Sequence, residues 1–236
     1  MNERTRYAVV TGGTKGIGRA ICQKLASEGM HVAVCARNQA DLATLESELA
    51  ELEISVLTRV ADVSRKQEVL DFVKEITDRW PRIDLLVNNA GVFIPGAILE
   101  EEEGRLEQMI ETNLYSAYHL TRALMPALLK SPMAHIFNIC SIASQIAYPN
   151  GGSYTISKFA LLGLTKALRA ELLDKNVRVT AVLPGATWSH SWKGVDLPED
   201  RLMKAQDVAD VVLATYNLSP SAVVEEIILR PQLGDL

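Results

Sequence analysis

Cysteine is scarce in this chain. Its three cysteines, Cys22, Cys35 and Cys140, form no C-x-x-C pair, which argues against a disulfide framework or a thiolate metal site and fits a reducing compartment. Histidine is nearly as rare, and none of the four histidines is spaced as a metal ligand pair or a triad member. His119 in a helical stretch and His135 at the start of an apolar run therefore read as structural, and His190 as a candidate substrate contact. No metal site is expected. Apolar runs stay short of the ~18 residues needed to cross a bilayer. Met1-Asn2-Glu3-Arg4 leads straight into a short apolar run without a signal-type segment, so the expectation is a soluble, cytoplasmic protein with no membrane partner. Neither sign of charge dominates: 24 Lys and Arg stand against 29 Asp and Glu, for a net charge of −5. No basic field draws such a chain to nucleic acid or anionic lipid. The densest block of charge, Glu100 to Glu103, reads as a solvated loop. Internal repeats, low-complexity tracts and Pro/Ser-rich linkers are also missing, which leaves one domain spanning residues 1–236.

What remains is an alternation. The apolar fraction is 48% and the mean hydropathy +0.08, enough to fill the core of an ordinary α/β domain. Short runs rich in Val, Ile and Leu lie at Tyr7 to Thr11, His31 to Ala36, Ser55 to Arg59, Leu85 to Asn88, His135 to Cys140, Val177 to Leu183 and Glu226 to Leu229. Helix-periodic stretches separate them, near Gly16 to Glu28, Gln39 to Leu52, Arg65 to Trp80, Arg105 to Leu129, Ser153 to Leu173 and Ala205 to Tyr216. Continuous apolar strands are buried on both faces, and helices between them supply the crossovers of a parallel sheet. The predicted fold is α/β: a single doubly wound Rossmann-type domain with a parallel sheet of about seven strands. Its least regular segment, Gly185 to Lys204, carries Trp188 and Trp192 and reads as a small substrate loop.

The first run is followed at once by Thr11-Gly12-Gly13-Thr14-Lys15-Gly16-Ile17-Gly18-Arg19. Gly12, Gly16 and Gly18 have the spacing G-x-x-x-G-x-G at a strand-to-helix turn. A glycine makes the turn, bare backbone lets a pyrophosphate approach, and the helix N-terminus offers N–H groups and its positive dipole end. No Gly-Lys-Ser/Thr closes the loop, so it is not a Walker A motif. The second run ends Val34-Cys35-Ala36-Arg37-Asn38. Alanine stands where NAD-binding versions carry a carboxylate for the ribose hydroxyls, and Arg37 follows it. A guanidinium favours a 2′-phosphate that a carboxylate would repel. With Lys15 as a second nearby cation, the cofactor is expected to be NADP(H). Asp62-Val63 follows the third run. Asp62 has two readings, an acceptor for the adenine amino group and an N-cap for the helix near Arg65.

Further markers occur in order: Asn88-Asn89-Ala90-Gly91 after the fourth run, Asn113 in a long helical stretch, Ser141 after the fifth run, Tyr154-x-x-x-Lys158, and Pro184-Gly185 after the sixth. With this ordered set the chain resembles the short-chain dehydrogenase/reductase family from Tyr7 to about Arg230. The resemblance implies an NADP(H)-dependent oxidoreductase moving a hydride between cofactor and a carbonyl or alcohol, similar to 3-oxoacyl-acyl-carrier-protein, sepiapterin and other carbonyl reductases. The alternative kept beside it is a non-catalytic NADP(H)-binding sensor or scaffold.

The chemistry expected at the site follows from the reaction. A carbonyl being reduced takes a proton at oxygen, and Tyr154 is the candidate donor. Lys158, one helical turn on, shares its face. A free phenol has a pKa near 10, and a lysine cation beside it, together with the positive nicotinamide of the oxidised cofactor, is expected to lower that value. The resemblance adds that Lys158 binds the nicotinamide ribose, that Ser141 hydrogen-bonds the substrate oxygen, and that Asn113 holds a water linking Lys158 to solvent. It also implies cofactor contacts at Asn89, Ala90 and Gly91, with Thr14, Ile17, Asn38 and Val63 as lesser ones. Beyond Pro184 and Gly185, either Thr187 or Ser189 would meet the nicotinamide carboxamide. A homodimer or homotetramer and a small-molecule carbonyl or alcohol substrate complete the expectations.

Overall fold

The computed structural model describes residues 5–188 and 198–234. Its strands are β1 (Tyr7–Thr11), β2 (His31–Ala36), β3 (Val56–Val60), β4 (Leu85–Asn88), β5 (Ala134–Ile139), β6 (Val177–Pro184) and β7 (Glu226–Leu229). All pair in parallel in the order β3-β2-β1-β4-β5-β6-β7. The α-helices are α1 (Gly16–Ser27), α2 (Gln39–Leu49), α3 (Lys66–Arg79), α4 (Arg105–Ile110), α5 (Ser116–Leu128), α6 (Gly152–Leu172) and α7 (Ala205–Tyr216). Among the described residues, no helix is long and apolar enough to cross a membrane.

The apolar strands are covered on both faces, as their composition requires. In β1, Ala8 and Val10 point into a cluster with Ile21 and Leu25 of α1, Leu42 of α2 and Val212 of α7. Val9, between them, points the other way onto Phe72 of α3, Leu124 of α5 and Leu172 of α6. One residue of register shift would reverse both sets, so the sheet's pairing is tightly specified. Strand order reverses between β1 and β4. Crevices at the carboxyl ends of strands on either side of such a switch are where open α/β sheets bind ligands, and every motif noted above lies at that end.

The stretch from Arg105 to Leu129, expected as one helix, is divided by a π-turn at Glu111–Tyr115. Asn113 explains the break. Its Oδ1 accepts from the Val92 N–H at 2.7 Å, and its Nδ2 donates to Val92 O at 3.0 Å and to Ser157 Oγ at 2.9 Å. The extra residue in the turn aims this amide at the loop after β4, a tertiary demand that overrides the regular ladder.

His135 is structural, as expected, and carries a pH consequence. It is fully buried and stacked on Phe137 with ring centroids 4.0 Å apart. Thr180 donates its hydroxyl to Val224 O, so His135 Nε2 donates to Thr180 Oγ1 at 2.7 Å, leaving Nδ1 without a hydrogen-bond partner. Burial, helped by the Arg178 cation, holds this imidazole well below its ordinary pKa. The neutral ring therefore contributes stability that is fully present above an unfolded pKa of about 6.5 and is lost as pH falls below it. Between pH 6.5 and 5, unfolding free energy should drop up to ~1.4 kcal/mol per pH unit more steeply in the native protein than in His135→Asn. Urea titrations across that range check it; equal slopes would remove His135 from the account.

Candidate active site

The glycine loop joins β1 to α1 through two left-handed residues, Gly12 at φ 63° and Gly16 at φ 51°. Lys15 at the N-cap of α1 provides no side-chain cap, so the helix presents its first N–H groups to the crevice. Its ammonium pairs with Asp41 at 2.7 Å, so its charge is shared rather than free. Asn89 braces the loop: Nδ2 donates to the Thr11 and Gly12 carbonyls at 2.9 and 3.1 Å. The backbone N–H groups of Asn89 and Ala90 both donate to Thr11 Oγ1 at 3.0 Å. Asn88, one step earlier, is buried in the sheet and donates to Thr121 and Asn138. Thr14 lies part-buried in the loop, and Ile17 packs against the core beneath α1.

At the end of β2, Ala36 is followed by an exposed Arg37. Asn38 caps α2, its side-chain oxygen accepting from Ala40 and Asp41 N–H groups at 2.8 and 3.1 Å. Asp62 is not the helix cap that one reading allowed. The N-cap of α3 is Arg65, and Asp62 closes the turn before it by accepting from Ser64 N and Oγ. Burial pushes the Asp62 carboxyl up, but those two hydrogen bonds and the Arg37 and Arg65 cations win and hold it below its ordinary value. Val63 beside it is buried in the core. The crevice edge at β2 and β3 thus offers one ionised carboxylate and one exposed guanidinium within electrostatic reach of each other.

On the other side of the switch point, β5 ends at Ile139, and Ser141 N-caps the 3₁₀ turn Ile142–Ser144. Tyr154 and Lys158 rise from the first turns of α6. The Ser141 hydroxyl lies near enough to the Tyr154 phenol to favour its ionised form. Lys158 is 4% exposed, donates to Ile139 O at 2.8 Å and lies 5.8 Å from the Tyr154 ring centre. Asn113 and Lys158 both approach Gly91, where an added Cβ would meet Asn113 Oδ1 at 3.2 Å and Lys158 Nζ at 3.6 Å. The four expected catalytic side chains are therefore assembled in one place.

Their electrostatics differ from the expectation. Tyr154 is pushed above its ordinary pKa, not below it: burial raises it, and the nearby Ser141 hydroxyl offsets only part. Burial also pushes Lys158 down to about 8. Enclosure disfavours the charged form of each group, and the lysine ammonium is held by a backbone carbonyl rather than directed at the phenol. Tyr154 is thus a protonated phenol at neutral pH.

Four residues of the site are not visible from spacing. Thr11 organises the β4 loop; a hydroxyl closing an otherwise apolar strand was its signal. Ser157 accepts from Asn113 and donates to Tyr154 O at 2.7 Å, so it ties the π-turn to the tyrosine. Phe93 stands edge-on to Tyr154 at 4.9 Å, and Tyr148 is close enough to Tyr154 to feel its charge. At the end of β6, Pro184 and Gly185 adjoin Thr187, whose hydroxyl donates to Gly185 O at 3.0 Å. Ser189, His190 and Trp192 lie outside the described residues.

A family model described as short chain dehydrogenase matches residues 6–199. The sepiapterin reductase of Chlorobaculum tepidum is 36% identical over 236 residues, 97% of each chain. An alcohol dehydrogenase from the archaeon Thermococcus sibiricus, complexed with 5-hydroxy-NADP, superposes with a TM-score of 0.90 at 29% identity over 97% of each chain. An actinorhodin polyketide ketoreductase variant with NADPH superposes at 0.88 with 28% identity over 98% of each. With its glycine loop, its Ser141, Tyr154 and Lys158 cluster and this match along most of its length, the chain belongs to the short-chain dehydrogenase family.

Proposed function

We propose that this protein is an NADP(H)-dependent carbonyl reductase that also oxidises the product alcohol, with Tyr154 exchanging the proton at the substrate oxygen. The observation that carries the proposal is the convergence of the Ser141 hydroxyl, the Tyr154 phenol and the buried Lys158 ammonium at the carboxyl end of β5. The residues fit the cofactor. A Cβ on Gly18 would lie 2.3 Å from Gly12 O, so the loop can hug a pyrophosphate only as glycine, and the uncapped start of α1 supplies donors. Ala36 and Arg37 suit a 2′-phosphate. The 5-hydroxy-NADP and NADPH bound in two similar structures support the same choice.

The bound cofactor supplies the hydride. Every other part of the reaction belongs to the chain. Ser141 holds the carbonyl oxygen and stabilises the charge that grows there. Tyr154, kept protonated by burial, gives its proton to that oxygen. Lys158 sits behind it as the nearest cation, and its pKa of about 8 lets it relay a proton near neutrality. Asn113 and Ser157 fix the turn from which the phenol projects. Phe93 stands edge-on to Tyr154, which suits a substrate whose carbonyl adjoins a flat or apolar group. The C. tepidum relative's name, sepiapterin reductase, falls in that class.

A panel of ketones scored by loss of NADPH absorbance tests the reading, and a flat trace with every ketone and aldehyde would sink it. Cofactor choice has its own test. Arg37→Glu removes charge-assisted hydrogen bonds to the 2′-phosphate and adds repulsion, together worth about 3 kcal/mol. The value of kcat/KM for NADPH should fall roughly 100-fold while that for NADH changes by only a few-fold. Equal losses with both cofactors would show that Arg37 does not read the phosphate.

A further inference from the structure

We propose that Glu101 is a positioning residue for the reaction at Tyr154, holding the first turn of α6 from outside that helix. The inference rests on the reading of Tyr154 as proton donor. Helix α6 begins at Gly152, and Gly151 at its N-cap has no side chain to satisfy the first N–H groups. The Glu101 carboxylate does so instead. One oxygen accepts from the Ser153 N–H at 2.9 Å and the other accepts from the Ser153 hydroxyl. Ser153 is buried, 3% exposed, and the next residue is Tyr154.

The surrounding backbone is shaped to this contact. A Cβ on Gly152 would lie 2.1 Å from Glu101 Oε1, and one on Gly96 would lie 2.6 Å from Glu101 Cγ. Gly96 also bridges to Gly151 and donates its N–H to Asn150 O at 3.0 Å. The loop after β4 is thereby fastened to the start of the catalytic helix. Tyr154 is gripped on both sides, by Glu101 through Ser153 before it and by Asn113 through Ser157 after it. Glu102 turns to Arg105 instead. The run Glu100 to Glu103, expected as a solvated loop, thus contains one residue with a fixed task. A carboxylate at a helix N-terminus also gains from the helix dipole. The Ser153 hydrogen bonds, with Arg105 nearby, hold Glu101 below its ordinary pKa, so it is ionised at neutral pH. Because a misplacement of about 1 Å can lower turnover roughly 100-fold, fixing this turn bears on kcat rather than on cofactor affinity.

Glu101→Ala, Glu101→Gln and Tyr154→Phe in the full chain test it. Three quantities are measured: kcat with a ketone from the panel, NADPH Kd by fluorescence titration, and amide hydrogen exchange without cofactor. In Glu101→Ala, exchange should quicken at least tenfold at the start of α6 and stay unchanged in the sheet. Its kcat should fall 10- to 100-fold with NADPH Kd within threefold. Gln offers a carbonyl to the Ser153 N–H and an amide to its hydroxyl, and should bring kcat back to within threefold of the native value. An unchanged kcat in Glu101→Ala beside an inactive Tyr154→Phe overturns this inference alone. So does a loss of kcat that merely tracks faster exchange throughout the protein. Turnover surviving in Tyr154→Phe overturns the tyrosine reading and this inference together.

Discussion

Tyr154→Phe should lower kcat for carbonyl reduction by about a thousandfold, within the range a positioned general acid supplies, and leave NADPH Kd within threefold. The substitution removes one oxygen from a site that otherwise keeps its packing. The ring still stands edge-on to Phe93, and Ser141 keeps its hydrogen bond from Ala143 N–H. What disappears is the phenol hydroxyl beside Ser141 at the carboxyl end of β5. The pH profile adds a signed check. Burial holds the phenol protonated above its ordinary pKa, so reduction should persist through neutrality and decline in alkali. Alcohol oxidation needs the ionised form to receive a proton and should rise with pH over the same range. Steady-state rates in both directions from pH 6 to 11 measure this. A variant keeping more than a tenth of native kcat would remove Tyr154 from the proton-transfer role.

The fold was legible because burial on both faces leaves a plain trace. Val9 and Val10 point to opposite sides of the sheet and both are apolar, which separates an interior strand from a half-exposed one. The glycine loop and the Tyr154/Lys158 pair were legible because their spacing is set by local geometry, a turn in one case and a helical repeat in the other. Other features depend on partners distant in sequence. Glu111-Thr112-Asn113-Leu114-Tyr115 contains no helix breaker, and the π-turn there answers to the Val92 backbone. Asp62 looks like a helix cap at its spacing, yet the helix starts three residues too late for it. The direction of the Tyr154 shift followed from charge proximity in the sequence reading and from desolvation in the folded chain. Desolvation is a property of everything packed around a group, so no pair of residues predicts it. Glu101 is the extreme case, since nothing local distinguishes it from the three glutamates beside it.

Gly18→Ala should cripple cofactor binding although it improves the helix on paper. Alanine in a helix is favoured over glycine by about 1 kcal/mol, and Gly18 lies in the first turn of α1. Against that gain stands a collision. The new Cβ would sit 2.3 Å from Asn89 Nδ2 and 2.3 Å from Gly12 O. Asn89 could swing aside, but only by giving up its bonds to the Thr11 and Gly12 carbonyls, which brace the loop. The Gly12 carbonyl belongs to a backbone already committed to φ 63° and pinned by its N–H to Cys35 O at 2.9 Å. Overlap that backbone must absorb costs about 1–3 kcal/mol or more, and it exceeds the propensity gain. The displaced loop is the one that must approach the pyrophosphate. NADPH Kd should therefore rise at least 100-fold, with a fall of several degrees in Tm. Fluorescence titration and thermal melts on the same preparation separate the two effects. Unchanged affinity would mean that the helix start can retreat without moving the loop, and the close-packing account of this glycine would be wrong.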